Sequence, residues 1–473
     1  MAFETFKITA FRGVDQSRGV WGEPGASPDA VNMICRKGAL MTWRAPAATE
    51  PAPPAGCARL FQGFFRDQNG ADSRTLVAAG GGHVWALTGG AWHELGSGFQ
   101  SDDWCAVNYR HEDEDWLILV NGLDPMQRWD GQSAALSPVD ARMGGVPVRF
   151  ERLTLIYERL WGAVTAGQPD RVYWSESFAP DNWELNAADP DTGGGFMDVA
   201  TFDGARIRAV VAAFDDVLIF KDRSMHRLNG TYPGDFSLTQ VYGSEGTLAA
   251  RTIVHTASRL YFLGGDGLCA YDGMTVSSLT HGGDSRMKDV FARVNQQAVK
   301  NACAALWRDV IYLALPLDGA NGNTHVVRYA LSDGGWALLS LPGVRDFLIW
   351  REGQDERLLC LTGDGLYRFG EGPDALPGAY WTTPVLPART AGRRRLGRVC
   401  FPIEAEAAGS LTLTALSEDG QVQKTVRFGA GRSVVRQRLR LRGRALRLKL
   451  ESEGRAMFSL PDGMELEIEE ESP

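Results

Sequence analysis

The sequence predicts an all-β protein, a β-propeller of about seven blades with a C-terminal β-sandwich. Three observations predict it. The chain holds 55 glycines and 14 tryptophans in 473 residues, the mixture that many short strands joined by tight turns require. A unit recurs along most of its length: an apolar strand, a Gly/Asp turn, then a second strand ending in an aromatic. Past about residue 377 the composition changes, and arginine alternates with leucine at period two. Hydrophobic residues at 44% and charged residues at 23% supply a sizeable core without disulfides or a metal, and little helix is expected. The length suggests two or three domains.

Residues 1–56 read as an N-terminal arm and linker. The arm holds one clear strand, Phe6-Lys-Ile-Thr-Ala-Phe11. The linker is Pro46–Gly56, whose Pro/Ala composition predicts an extended, semi-rigid spacer.

Residues 57–376 read as the propeller. Its units end their second strands at Leu87, Trp129, Ser175, Leu228, Tyr271, Tyr329 and Phe369, roughly 40–60 residues apart, as four-stranded blades require. Insertions at 186–195 and 319–323, rich in Gly, Asp and Asn, account for the longer gaps. Each strand is too short to be stable alone, so neighbouring blades must supply the burial.

Residues 377–473 read as an Arg-rich β-sandwich. Strands are predicted at 409–416, 421–428, 434–441, 445–450 and 464–468. The run Arg436-Gln-Arg-Leu-Arg-Leu-Arg442 places arginine outside and leucine inside.

The net charge of −9 argues against a general nucleic-acid binder, which needs Lys and Arg for phosphates. It is compatible with a surface past which DNA slides. No run approaches the roughly 20 apolar residues that span a bilayer, so no membrane partner is expected. The first residues lack the pattern of a signal peptide. Seven scattered cysteines with no CxxC pair read as reduced, buried small hydrophobes, and the expectation is a protein made in a cytoplasm.

The chain carries no GxSxG, Walker loop, HExxH or dinucleotide fingerprint, so neither an enzyme nor a bound cofactor or metal is expected. The seven histidines, dispersed along the chain and including His281, show no ligand spacing. Asp266-Gly, Asp272-Gly and Asp364-Gly could be carboxylates facing a central funnel, but each lies between two strands and reads better as a type I′ hairpin turn. The 186–195 loop could hold calcium, yet it lacks the closing bidentate Glu and reads as a solvated loop. Ser417-Glu-Asp-Gly420 is similar to the Asp box of sialidase propellers, but it occurs once and reads as a hairpin turn. The cluster Arg393, Arg394 and Arg395 is the one candidate interface. It either meets phosphate or the acidic face of a neighbouring subunit, or is a solvated face whose stems cover apolar surface.

Two stretches resemble known proteins. The run Phe11-Arg-Gly-Val-Asp-Gln-Ser17, Ser27-Pro-Asp-Ala-Val-Asn-Met33, Lys37-Gly-Ala-Leu40 and Arg44 is similar to the opening of virion proteins of tailed bacteriophages and prophages. So is Arg171-Val-Tyr-Trp-Ser-Glu-Ser177 with Pro180-Asp-Asn-Trp183, continuing through Asp203-Gly-Ala-Arg, Val217–Gly230 and Gly243-Ser-Glu-Gly-Thr to Gly273. These resemble the propeller-bearing tail hub, nozzle and packaged-DNA-stabilising proteins of short-tailed phages. The resemblance covers about half of the chain and leaves the sandwich unmatched. It implies a homo-oligomeric ring, commonly sixfold, stacked below the portal around a DNA channel. Its implied partners are portal, adaptor or other tail proteins, with DNA passing without sequence-specific binding. The implied place is the virion, assembled in the host cytoplasm. The alternative expectation is a receptor- or carbohydrate-binding propeller of the virion.

Overall fold

The structure, a computed structural model, describes residues 4–66, 70–201, 204–241, 245–280, 285–388 and 392–470. His281, Asp203 and the Gly243-Ser244 pair of the resemblance lie outside them. Strand makes up 54% and helix 4%, so the fold is all-β, and the one α-helix among the described residues is the single turn Lys288–Phe291.

Seven four-stranded antiparallel sheets form a β-propeller. Blades 1 to 6 span 57–97, 105–138, 152–198, 207–240, 254–278 and 303–340, each from consecutive strands. The recurring unit of the sequence is the second and third strand of each blade. In blade 4, for example, Asp216–Lys221 pairs with Met225–Asn229, and all six residues of the former are buried. Stacked blades bury both faces of these middle strands, so they read as continuous apolar runs instead of alternating ones.

Blade 7 corrects the reading of Pro46–Gly56 as a linker. Three of its strands lie within 344–368, and the fourth is Ala47–Ala48, where Ala48 faces Tyr367 and Ala47 faces Arg368. Thr49 N–H adds a bond to Leu366 O at 2.9 Å. Prolines 46 and 51 flank this two-residue pairing and so take no donor from it. The N-terminal segment therefore closes the propeller ring.

The arm is likewise not a separate body. Two antiparallel sheets form the sandwich. The seven-stranded one takes Glu4–Ile8, Met33–Arg36 and Ala39–Thr42 from the N-terminal segment. Glu4–Ile8 pairs with Met464–Ile468, and Ala39–Thr42 meets Phe458–Leu460. The five-stranded one takes Asp29–Val31, which pairs with Tyr380–Thr382. The C-terminal strands alone would leave apolar inner faces uncovered, and the N-terminal strands cover them.

The two units share one hydrophobic cluster. Ile311, Leu313, Trp336 and Leu338 of blade 6 pack with Trp381, Leu413 and Leu448 of one sheet and Leu396, Phe401 and Leu466 of the other. Truncating a side chain as deep as Leu338 costs about 2–5 kcal/mol by transfer and cavity terms together. All seven cysteines are free thiols. Burial pushes the thiols of Cys57 and Cys303 up to about 11 and about 12, which makes them poor nucleophiles.

Candidate functional site

The N-terminal motif that carries the resemblance is the joint between propeller and sandwich. Phe11 packs edge-on against Trp381 with centroids 5.1 Å apart. Gly13 passes the backbone of Trp336 so closely that a Cβ there would stand 2.3 Å from its carbonyl oxygen, and Val14 N–H donates to that same oxygen. Asn32 is buried with φ of 58°. Its amide donates to Pro377 O at 2.7 Å and its carbonyl accepts the Ser340 N–H at 2.7 Å. Its own N–H donates to Leu338 O. Asparagine suits this position because it tolerates the left-handed region and offers both a donor and an acceptor.

The candidate cluster does not form one patch. Arg393 is half-exposed and pairs with Asp419. Arg395 pairs with Glu469 at 2.5 Å. Arg394 is 1% exposed and turns inward, where it donates to Leu386 O at 3.0 Å, Pro387 O at 2.5 Å and Arg444 O at 2.5 Å. The cause is strand alternation: Arg394 and Leu396 point into the core between their neighbours. Arg394 is therefore a buried clasp for backbone carbonyls and is corrected from the interface reading.

The exposed arginines lie elsewhere on the same sheet. Gly431–Gly443 is a 13-residue edge strand that, among the described residues, pairs only with Arg394–Ala405. Val435, Leu439 and Leu441 face the core, and Arg436, Arg438, Arg440 and Arg442 face out. A register shift opposite Leu396/Arg398 and a positive φ at Arg440 mark a bulge, a feature that discourages edge pairing. Arg432 meets Glu404 and Asp462. Arg436, Arg438 and Arg440 have no ion pair among the described residues. The period-two pattern marked this strand in the sequence, whereas its position at a sheet edge depends on pairings that no local pattern records.

The remaining candidates are turns. Asp266-Gly267 and Asp364-Gly365 close four-residue hairpin loops, with Gly264 N–H bonding Gly267 O and Thr362 N–H bonding Gly365 O. Only the glycines, with φ of 142° and 152°, depart from ordinary backbone, so these are not type I′ turns. The side chain of Asp272 accepts the N–H groups of Met274 and Thr275. In the 186–195 loop the buried Arg159 takes the carbonyls of Asp191 and Gly193, oxygens that a cation would otherwise need. Among the described residues no three His, Cys, Asp or Glu side chains group as metal ligands. Glu418 of the Ser417–Gly420 hairpin accepts the N–H groups of Arg444 and Ala445, which holds its carboxyl down to about 2. Among the described residues no helix is long and apolar enough to cross a membrane.

No family model matches the chain, and no curated protein matches it. Among solved structures it is similar to the extracellular domain of a hybrid two-component system of B. thetaiotaomicron, at 9% identity and a TM-score of 0.45. That match covers 82% of this chain and 46% of the other. It is also similar to the RRP9 WD40 repeats, at 10% identity, 70% and 97% coverage and a TM-score of 0.41. A third is U3-55K, at 11% identity, 68% and 94% coverage and a TM-score of 0.38.

Proposed function

We propose that this chain is a structural subunit of a bacteriophage or prophage tail or head–tail connector. In this reading it forms a hub or nozzle ring around the DNA channel and acts by geometry. The observation that carries the proposal is the long free edge of the sandwich with Arg436, Arg438 and Arg440 unpaired, mounted on a body whose two units share one core. Like charges prevent this edge from pairing with its own copy, so its complement is a different, acidic surface. A contact between two different patches closes into a ring when its rotation allows. The net charge of −9 leaves acidic surface available for that contact, and the resemblance supplies the setting. Portal, adaptor and other tail proteins are the further partners in this reading.

Electron microscopy of the purified protein tests it alongside the triple variant R436E/R438E/R440E. Closed rings are expected for the native chain, and separate subunits with an unchanged melting temperature for the variant. A native chain that stays monomeric at micromolar concentration, or rings that persist in the variant, overturns the proposal. Particles lacking the protein should package DNA and then leak it or fail to eject it. Particles that keep their DNA and lose only adsorption to the host would instead establish the receptor-binding alternative.

A further inference from the structure

Propeller closure gathers residues that lie about one blade apart in sequence. Each blade begins its innermost strand, or the connection into it, at the same end of the central channel. Those starts bring together Arg59, Asp103, Arg152, Arg208, Arg251 and Lys300 from blades 1 to 6 around a cavity of about 420 Å³. Six basic side chains line it (Arg59, Arg152, Arg206, Arg208, Arg251 and Lys300) against three acidic ones, Asp102, Asp103 and Glu151. The chain as a whole is acidic, so this is a local reversal of sign.

The charges are not evenly answered. Around one side, carboxylates of neighbouring blades meet the guanidinium groups. Arg59 meets Asp346 of blade 7 at 3.2 Å, Arg152 meets Asp103 at 2.7 Å, and Arg206 meets Glu151 at 2.9 Å. Arg208 pairs with Asp222. The first three pairs tie blade to blade, and the Arg208 pair lies within blade 4. Among the described residues Arg251 donates to backbone alone, to Arg345 O at 2.9 Å and Asn301 O at 3.1 Å. Those bonds hold its guanidinium in place, and the carboxylate it acts on, Asp103, is already paired with Arg152. Lys300, next to Asn301, is exposed and has no ion pair among the described residues. The cavity thus carries more basic than acidic side chains, and Arg251 and Lys300 are its cations without an ion pair among the described residues.

We propose that this cavity binds a compact polyanion, a molecule carrying two or more phosphoryl or carboxylate groups, with Arg251 and Lys300 holding its charge. The volume lies in the range of small-ligand sites, roughly 300–1,000 Å³. Guanidinium groups suit both anions because their planar fork donates two parallel bonds. A pocket walled in part by protein also strengthens these contacts relative to open water. The proposal is independent of the ring function.

Isothermal titration of the full-length protein with tripolyphosphate and, separately, with citrate at low salt tests it. Saturable one-to-one binding of at least one of them is expected, weakening by about tenfold or more in K300E and in R251Q. K300E alters an exposed side chain and should keep the native melting temperature, so its loss of affinity reports the site. The arm that saturates identifies the class, phosphoryl or carboxylate. No saturable binding of either probe at millimolar concentration, or equal affinity in K300E, overturns the proposal.

Discussion

Propeller and sandwich are both antiparallel β-structure, yet the chain assembles them in opposite ways. Each of blades 1 to 6 pairs strands that follow one another, so its contacts form between near neighbours in sequence. The sandwich joins Glu4 to Ile468 and Val31 to Tyr380, contacts that close loops of hundreds of residues. Local pairing has a low entropic cost of loop closure, and distant pairing must be offset by burial made at the same time. The seam between the two modes is blade 7, where Ala47–Ala48 completes a sheet otherwise made of local strands. The propeller therefore supplies repeated local order, and the N-terminal segment converts it into one cooperative body.

The largest expected effect comes from removing residues 4–48. This deletion opens blade 7 and strips strands from both sandwich sheets. It should abolish cooperative thermal unfolding and leave an aggregating chain, as followed by calorimetry and size exclusion. A truncated chain that still melts in one sharp transition would break the comparison, because the propeller would then stand alone.

A smaller effect is expected at the joint. Asn32→Ala leaves the Ser340 N–H and the Pro377 carbonyl unpaired in a buried place and puts alanine at positive φ. The expected loss is about 2–4 kcal/mol, read from urea unfolding of the whole chain as one transition. Two separated transitions would show that the joint, and not the shared core, couples the units.

The last comparison divides two adjacent arginines, one of which carries the smallest effect. Arg394→Ala removes the donor to three backbone carbonyls and should cost about 2–4 kcal/mol. Arg393→Ala breaks an exposed ion pair and should change stability by less than about 1 kcal/mol. Equal effects at both positions would contradict the inward turn of Arg394.

The seven blades were legible because each repeats the same local pattern, and the paired strands 260–271 and 358–369 carry it almost unchanged. The sandwich strands at 409–428 were legible from period-two alternation. The strand Arg394–Ala405 was not, because Gly397 and Pro402 interrupt its alternation. The fold absorbs Gly397 in a bulge and seats Pro402 opposite Val434. The Pro/Ala segment read as a spacer because two alanines carry no strand signal of their own, and their partner lies more than 300 residues away. The channel cavity was invisible for a related reason. Arg59, Arg152, Arg208 and Arg251 follow one another 43 to 93 residues apart in sequence, and only ring closure brings them around one cavity.

The pairing of Glu4–Ile8 with Met464–Ile468 also governs how the protein comes into being. A ribosome makes the first strand of this sheet long before its partner exists. Until residues 458–468 are made, strand 4–8 and the free edge of Ala39–Thr42, already paired with Met33–Arg36, await partners, while blades 1 to 6 can fold in turn as they emerge. The nascent chain thus exposes unpaired β-edges to other nascent chains until residues 458–468 emerge. Slow elongation, which helps proteins that fold domain by domain, would here prolong the hazardous interval.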